Sequence, residues 1–273
     1  MKSLQTIESI HKIFDTSGSH PVLVTCDDRQ DWVCKYDQHP IYLFNELIAA
    51  DFARIWNIRV PETALITVKE EHIPDDMLPQ LQKMWFKKEC FGSLFHQDAK
   101  EIDLSMLPLF RERTFRTKVK NKSDFLKIAL FDIWLSNDDR NHNNFNLLLS
   151  TEAGNTHFFY VIDHVGIFNS SSLKLGIYEL SCDDSIIKTD LARILFSKNK
   201  KIKYIVEDLV EKFYLCVLEC KNQLPEILSQ VPASWNLDLP LLEKQIRESI
   251  FTDEWLKTCE NTFREFIQSY IQN

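Results

Sequence analysis

The sequence predicts an α+β chain that is β-rich with one key helix at first and mostly helical afterwards. Three observations lead there. Runs of β-type residues crowd the first third, at residues 21–26, 32–36, 62–68 and 84–95. A single strong helical pattern, residues 42–56, interrupts them. Past one further β-type pair, the apolar residues of 184–196, 201–224 and 239–273 recur at helical spacing. The length allows one large domain or two small lobes; if there are two, the change near residue 95 divides them into residues 1–95 and 96–273. With 44% apolar residues over 273 positions there is ample core.

Residues 4–14 place Ile7, Ile10, His11 and Phe14 on one side of a short amphipathic helix. A small polar turn containing Ser17, Gly18 and Ser19 breaks it before Pro21. Residues 21–26 (PVLVTC) and 32–36 (WVCKY) are joined by Asp27, Asp28, Arg29 and Gln30, and read as a hairpin. Lys35 is the anomaly there. Among Val33, Cys34 and Tyr36 its ammonium needs an anionic partner to offset desolvation. Helix 42–56 supplies one, because Glu46 lies close to the face formed by Leu43, Leu47, Ala50, Phe52 and Ala53. Asn57 and Pro61 end that helix, and residues 62–68 return as a strand. Residues 69–83, with Pro74 and Pro79, read as an inserted loop with a short helix; residues 84–95 read as a strand leading to a turn at Gly92.

The second lobe centres on residues 132–150, DIWLSNDDRNHNNFNLLLS. Upstream, Ser123 caps a helix whose apolar positions Phe125, Ile128, Ala129, Phe131, Trp134 and Leu135 run up to the loop. Downstream, Phe145 and residues 147–149 form a short buried strand. A polar loop pinned between two buried elements is where a scaffold holds reactive groups rigidly. Residues 156–162 (THFFYVI) form a hairpin with the first strand, whose far end sets Asp163 beside the start of the loop. Breaks at Pro225, Pro232 and Pro240 divide the later helices.

With 32 basic and 40 acidic side chains the net charge is −8, which argues against direct nucleic-acid binding. The local cluster Arg111, Arg113, Arg116, Lys118, Lys120 and Lys122 reads as a solvated surface. The seven cysteines are scattered without a CxxC pair, as expected of reduced thiols in the cytoplasm, and Cys216 and Cys220 read as core. No run of about 18 apolar residues and no N-terminal h-region predicts a membrane span or secretion.

Asp139 and Asn144 stand five positions apart, with Asp163 across the hairpin. Phosphoryl transfer needs such a set: a carboxylate to orient the attacking hydroxyl, an amide oxygen and a second carboxylate for Mg²⁺, and a lysine for the phosphates. His142 and His164 with Asp139 and Asp163 leave a transition-metal or hydrolase cluster open, although no HExxH, HxH or GxSxG spacing accompanies them. One Asp–Asn pair alone would be an ordinary hydrogen-bonded turn.

Lys35 in VCKY, Glu46 in FNELIAADFARIWNIRVPE, the loop NDDRNHNNFNLLL and Asp163 in VIDHVG occur in the order found in protein-kinase-like folds. In detail they resemble the HipA-like kinases, over roughly residues 15 to 170, with a more distant similarity to the phosphatidylinositol 3/4-kinase group. The resemblance implies a bilobal protein-kinase-like fold, with a nucleotide-binding first lobe and a catalytic second lobe. It implies that Lys35 contacts ATP phosphates, that Glu46 positions Lys35, and that Asp139 is the catalytic aspartate. Asn144 and Asp163 would hold Mg²⁺, and Arg140 takes the place where relatives carry Arg or His. Asp138 with Asn143 has the same spacing; the N-x-D pattern begun by Asn137 favours Asp139. In place of a GxGxxG loop stand only Ser17, Gly18 and Ser19, matching the short serine-containing loop of that family.

The implied function is ATP- and Mg²⁺-dependent transfer to a Ser/Thr hydroxyl of a protein. A small-molecule or lipid acceptor is a second reading. A third is a pseudokinase or toxin–antitoxin-type module that binds nucleotide or a partner without turnover, and the resemblance leaves room for a regulatory partner protein.

Overall fold

The structure, a computed structural model, describes residues 1–16, 20–37, 39–77, 81–152 and 154–272. Strands β1 (Lys2–Gln5), β2 (Lys12–Ile13), β3 (Val22–Thr25), β4 (Asp31–Lys35), β5 (Thr63–Thr67) and β6 (Cys90–Leu94) form a sheet ordered β1-β5-β6-β4-β3-β2. Only β1 and β5 run parallel within it. Side-chain alternation splits β5 and β6 between two cores. Val22, Val24, Trp32, Cys34, Ala64 and Ile66 pack on the outer face, closed over by Leu81 and Phe86. Leu65 and Phe91 point the other way, onto helix α1 (Ile41–Ile55). Lys35 pairs in register with Phe91, so its side chain also leaves the sheet on the α1 side.

The second core is far larger and includes α1 itself. Strands β7 (Lys100–Glu101), β8 (Leu147–Glu152) and β9 (Thr156–Val161) form a small antiparallel sheet, with short helices α2 (Leu107–Arg111) and α3 (Arg113–Lys118) beside it. Helix α4 (Ser123–Leu135) runs through the centre with all of Leu126–Leu135 except Lys127 buried. After a left-handed turn, α5 (Ile167–Ser171), the chain wraps α4 with α6 (Asp190–Phe196), α7 (Ile202–Leu228), α8 (Leu239–Ile250) and α9 (Asp253–Tyr270). Trp134 stacks on Trp56 from the end of α1 at 5.4 Å, and Phe52, Phe213 and Phe251 complete the aromatic cluster. Indole N–H groups anchor it further: Trp134 donates to the Ile250 carbonyl and Trp255 to that of Trp134.

Several local expectations are corrected. Residues 4–14 form β1 and β2 rather than a helix. Leu4 pairs with Ile66 of β5, Ile10 is buried and Ile7 is exposed, so sheet pairing overrides the helical period. Residues 84–95 divide into a 3₁₀ turn, Lys83–Phe86, and β6. Ser123 is the first residue of α4 and makes no cap bond. Pro225 lies within the last turn of α7, which continues because Ile227 and Leu228 bury in the core. The stretch before Asp190 forms 3₁₀ turns, and residues 239–273 split at Phe251, where the Thr252 hydroxyl accepts from Trp255 N–H to cap α9.

Candidate active site

Two carboxylates meet on Lys35. Its Nζ lies 2.5 Å from Glu46 Oε1 and 2.9 Å from Asp163 Oδ1. Burial alone would lower the Lys35 pKa, but the Asp163 and Glu46 carboxylates outweigh it and hold the ammonium above its ordinary value. Burial likewise works to raise Glu46, yet Lys35 and a contact with His164 hold its carboxyl well below the usual carboxylate range. His164 Nδ1 stands 3.5 Å from Glu46 Oε2 inside the protein, and burial lowers the imidazole's pKa. Asp163 adopts a left-handed backbone, φ 54°, which Asp tolerates better than most residues. Asn45, beside Glu46 on α1, donates to the Val165 carbonyl at 2.9 Å, so the helix is fastened to the segment after Asp163 by both residues.

On the loop that follows α4 the Asp139 carboxylate accepts from Asn144 Nδ2 at 3.1 Å on both oxygens, and from Asn146 Nδ2 at 2.9 Å. Asp138 turns elsewhere and accepts from Ser170 Oγ at 3.1 Å, while Asn143 is exposed. Asp139 and Asn144 are thus the pair brought together. Gly166 packs against Asp139 and Asn137: a Cβ there would lie 2.5 Å from Asp139 Cβ and 2.8 Å from Asn137 Oδ1. The absence of a side chain at 166 is what lets the segment after Asp163 approach the loop.

Beneath the loop, Arg140 is fully buried and pairs with Asp132 of α4. Its Nη2 also donates to the Ile162 carbonyl at 2.9 Å, and Asn137 Nδ2 donates to Asp132 at 2.9 Å. Burial pushes the Asp132 carboxyl up to about 6, against the opposing effect of Arg140 and Asn137. Arg140 therefore acts as a strut from helix to hairpin rather than as a group facing the cleft. His142 is exposed and His164 is engaged with Glu46, so the two histidines do not converge with Asp139. Among the described residues no group of three or more His, Cys, Asp or Glu could hold a metal ion. Ser17, Gly18 and Ser19 lie outside the described residues.

Sequence reading missed Asn45, Asp132, Asn146 and Gly166 as parts of the site. Asp132 carried a signal, since a carboxylate amid the buried run of α4 demands a partner. The others are fixed by tertiary approach alone.

The fold is that of the protein kinases, with a β-sheet first lobe and a helical second lobe. Over 99% of its length the chain is similar to the crystal structure of the Helicobacter pylori proinflammatory kinase CtkA, all of which is covered, at 13% identity and a TM-score of 0.54. A crystal structure of the Golgi casein kinase is similar at 15% identity and a TM-score of 0.50, with 98% of this chain and 73% of that one covered. A search of curated proteins finds no match. The family model described as HipA-like kinase matches residues 7–267, and the chain belongs to that family. Its class is therefore that of a kinase-type phosphotransferase. Among the described residues no helix is long and apolar enough to cross a membrane.

Proposed function

We propose that this chain transfers the γ-phosphate of ATP to a Ser or Thr hydroxyl of a protein, with Mg²⁺. The carrying observation is the convergence of Glu46 and Asp163 on Lys35 at 2.5 and 2.9 Å, with Asp139 and Asn144 paired on the loop that follows α4. In this reading residues 1–95 are the nucleotide-binding lobe and residues 96–273 the catalytic lobe. An ammonium has three donors. Glu46 and Asp163 engage two from Lys35, and the third is available to a phosphate oxygen. Glu46 fixes where that ammonium points, and Ser17, Gly18 and Ser19 would line the phosphates.

The donor set suits magnesium, which takes a few hard oxygen ligands and keeps water on the rest. Asn144 and Asp163 would hold it, and the cation would offset charge on the phosphates. Asp139 would accept a hydrogen bond from the acceptor hydroxyl and orient it for attack, then take up its proton.

The test is γ-phosphate transfer from ATP with Mg²⁺ to a protein acceptor, by the wild type and Asp139→Asn. The expected result is transfer by the wild type and a loss of about 10²- to 10⁴-fold in the variant. Equal transfer by both would sink Asp139 as the base. Nucleotide binding without transfer in the wild type would favour a binding module instead.

A further inference from the structure

Two amides hold the Asp139 carboxylate, and the proposed function gives a second duty to only one of them. As a magnesium ligand Asn144 must present its amide oxygen, yet here its Nδ2 donates to both Asp139 oxygens at 3.1 Å. Coordination of that oxygen by a cation would draw the amide in a second direction, so its hold on Asp139 is shared. A carboxylate that orients a reacting hydroxyl has to stay fixed, because small misplacements cost large factors in rate. The donation from Asn146 Nδ2 at 2.9 Å carries no such second duty. We infer that Asn146 is the positioning residue that keeps Asp139 aimed while Asn144 is engaged by the metal. The inference rests on the roles proposed above for Asp139 and Asn144.

The surroundings of Asn146 fit that role. It is buried, so water does not compete for the bond. It immediately precedes β8, a rigid platform rather than the loop proper. Its carbonyl accepts from Ile162 N–H at 3.1 Å, one residue before Asp163. Asn146 thus holds Asp139 with its side chain and the approach to Asp163 with its backbone. Its φ is 46°, a left-handed conformation that Asn adopts more readily than most residues, so the position suits this side chain on backbone grounds as well.

Two substitutions separate positioning from folding. Asn146→Gly keeps the left-handed backbone and removes the amide; Asn146→Asp keeps the shape and sets a carboxylate against Asp139. The full-length chain is assayed for kcat, KM for ATP, Mg·ATP affinity and Tm. The expected result is a fall in kcat of about tenfold to a hundredfold in Asn146→Gly and more in Asn146→Asp, with KM and affinity within about twofold of wild type. A kcat for Asn146→Gly equal to that of an active wild type, with only Tm lowered, overturns the inference.

A second measurement needs no turnover. The side-chain ¹⁵N–¹H amide resonances of Asn146 should shift in Asp139→Ala. They should hold still when Mg²⁺ and a non-hydrolysable ATP analogue are added to the wild type, while those of Asn144 move. Asn146 resonances that ignore Asp139→Ala, or that move together with those of Asn144, overturn the inference. A wild type that binds Mg·ATP without transfer counts against the proposed function, and these resonances still decide the role of Asn146.

Discussion

Lys35 and Glu46 meet at 2.5 Å where the large sheet packs on α1, one on the sheet and the other on the helix. Lys35 ends a strand whose Trp32 and Cys34 pack on the outer face of the large sheet, whereas Glu46 sits on a helix buried among the aromatic residues of the helical lobe. The ion pair is a join between the two. Glu46→Gln keeps the shape and removes the charge, leaving Lys35 with Asp163 alone. The expected loss is about 3 kcal/mol of stability at neutral pH, because one partner of a buried pair is removed. KM for ATP should rise as Lys35 loses its fixed aim. Urea denaturation and steady-state kinetics check the two parts, and an unchanged urea midpoint would show the pair to be energetically idle.

Gly166→Ala tests how the segment after Asp163 is seated. The added methyl collides with Asp139 Cβ and Asn137 Oδ1, at 2.5 and 2.8 Å, so the loop has to yield. If Asp139 is the proposed base, displacing it by a fraction of an ångström is expected to lower kcat about tenfold to a hundredfold, with modest change in KM for ATP. Retained kcat would mean that the base tolerates displacement.

The Asp132–Arg140 strut predicts a cycle rather than a single effect. Asp132→Asn leaves the Arg140 charge buried without its counter-ion and should cost about 3–5 kcal/mol. The double variant Asp132→Leu with Arg140→Met should recover much of that loss, since an apolar pair removes both desolvation penalties. Urea unfolding of the wild type, Asp132→Leu, Arg140→Met and the double variant gives the coupling, and simple additivity would argue against the strut.

A pH effect is expected far from the cleft. Glu260 on α9 is pulled upward by burial, but hydrogen bonds from Lys257, Tyr214 and Arg264 outweigh this and hold its carboxyl at about 2. A folded-state pKa below the ordinary 4.5 means stabilisation that is full above that value and is lost as the pH falls toward 2. Lys257 is largely exposed, so the contribution is discounted for screening to about 2 kcal/mol at neutral pH. Glu260→Gln should therefore lower the urea midpoint at pH 7, and its deficit should shrink on acidification. A deficit independent of pH would place the effect in packing.

The parts of the site that were legible in the sequence are those set by short-range pattern. Lys35 stood out because a cation interrupts an alternating β-type run. Asp139 and Asn144 share one loop, and the hairpin brings in Asp163. Asn146 looked like one more amide in an amide-rich loop, and Gly166 was visible only as the last residue of the motif VIDHVG, with no sign of what it packs against. Their importance comes from side chains approaching across the fold, which no local spacing encodes. The same applies to residues 4–14. Their apolar period is helical, but the free edge of β5 offers a row of backbone partners that a lone short helix cannot match. Pro225 misled because the sequence marks a helix breaker without showing that the next turn has a core to fill.

The stacking of Trp56 on Trp134 determines which body of the molecule is able to move. For α1 to swing outward it would have to expose Phe52 and Trp56, a cost on the order of 5 kcal/mol. Such a state would hold fewer than about one molecule in a thousand. The sheet is tied to the same body, because Leu65 and Phe91 pack in its core and the Trp235 indole N–H donates to the Glu89 carbonyl at 2.7 Å. In the proposed reaction α1 is therefore the fixed reference against which Lys35 is set, at 2.5 Å from Glu46.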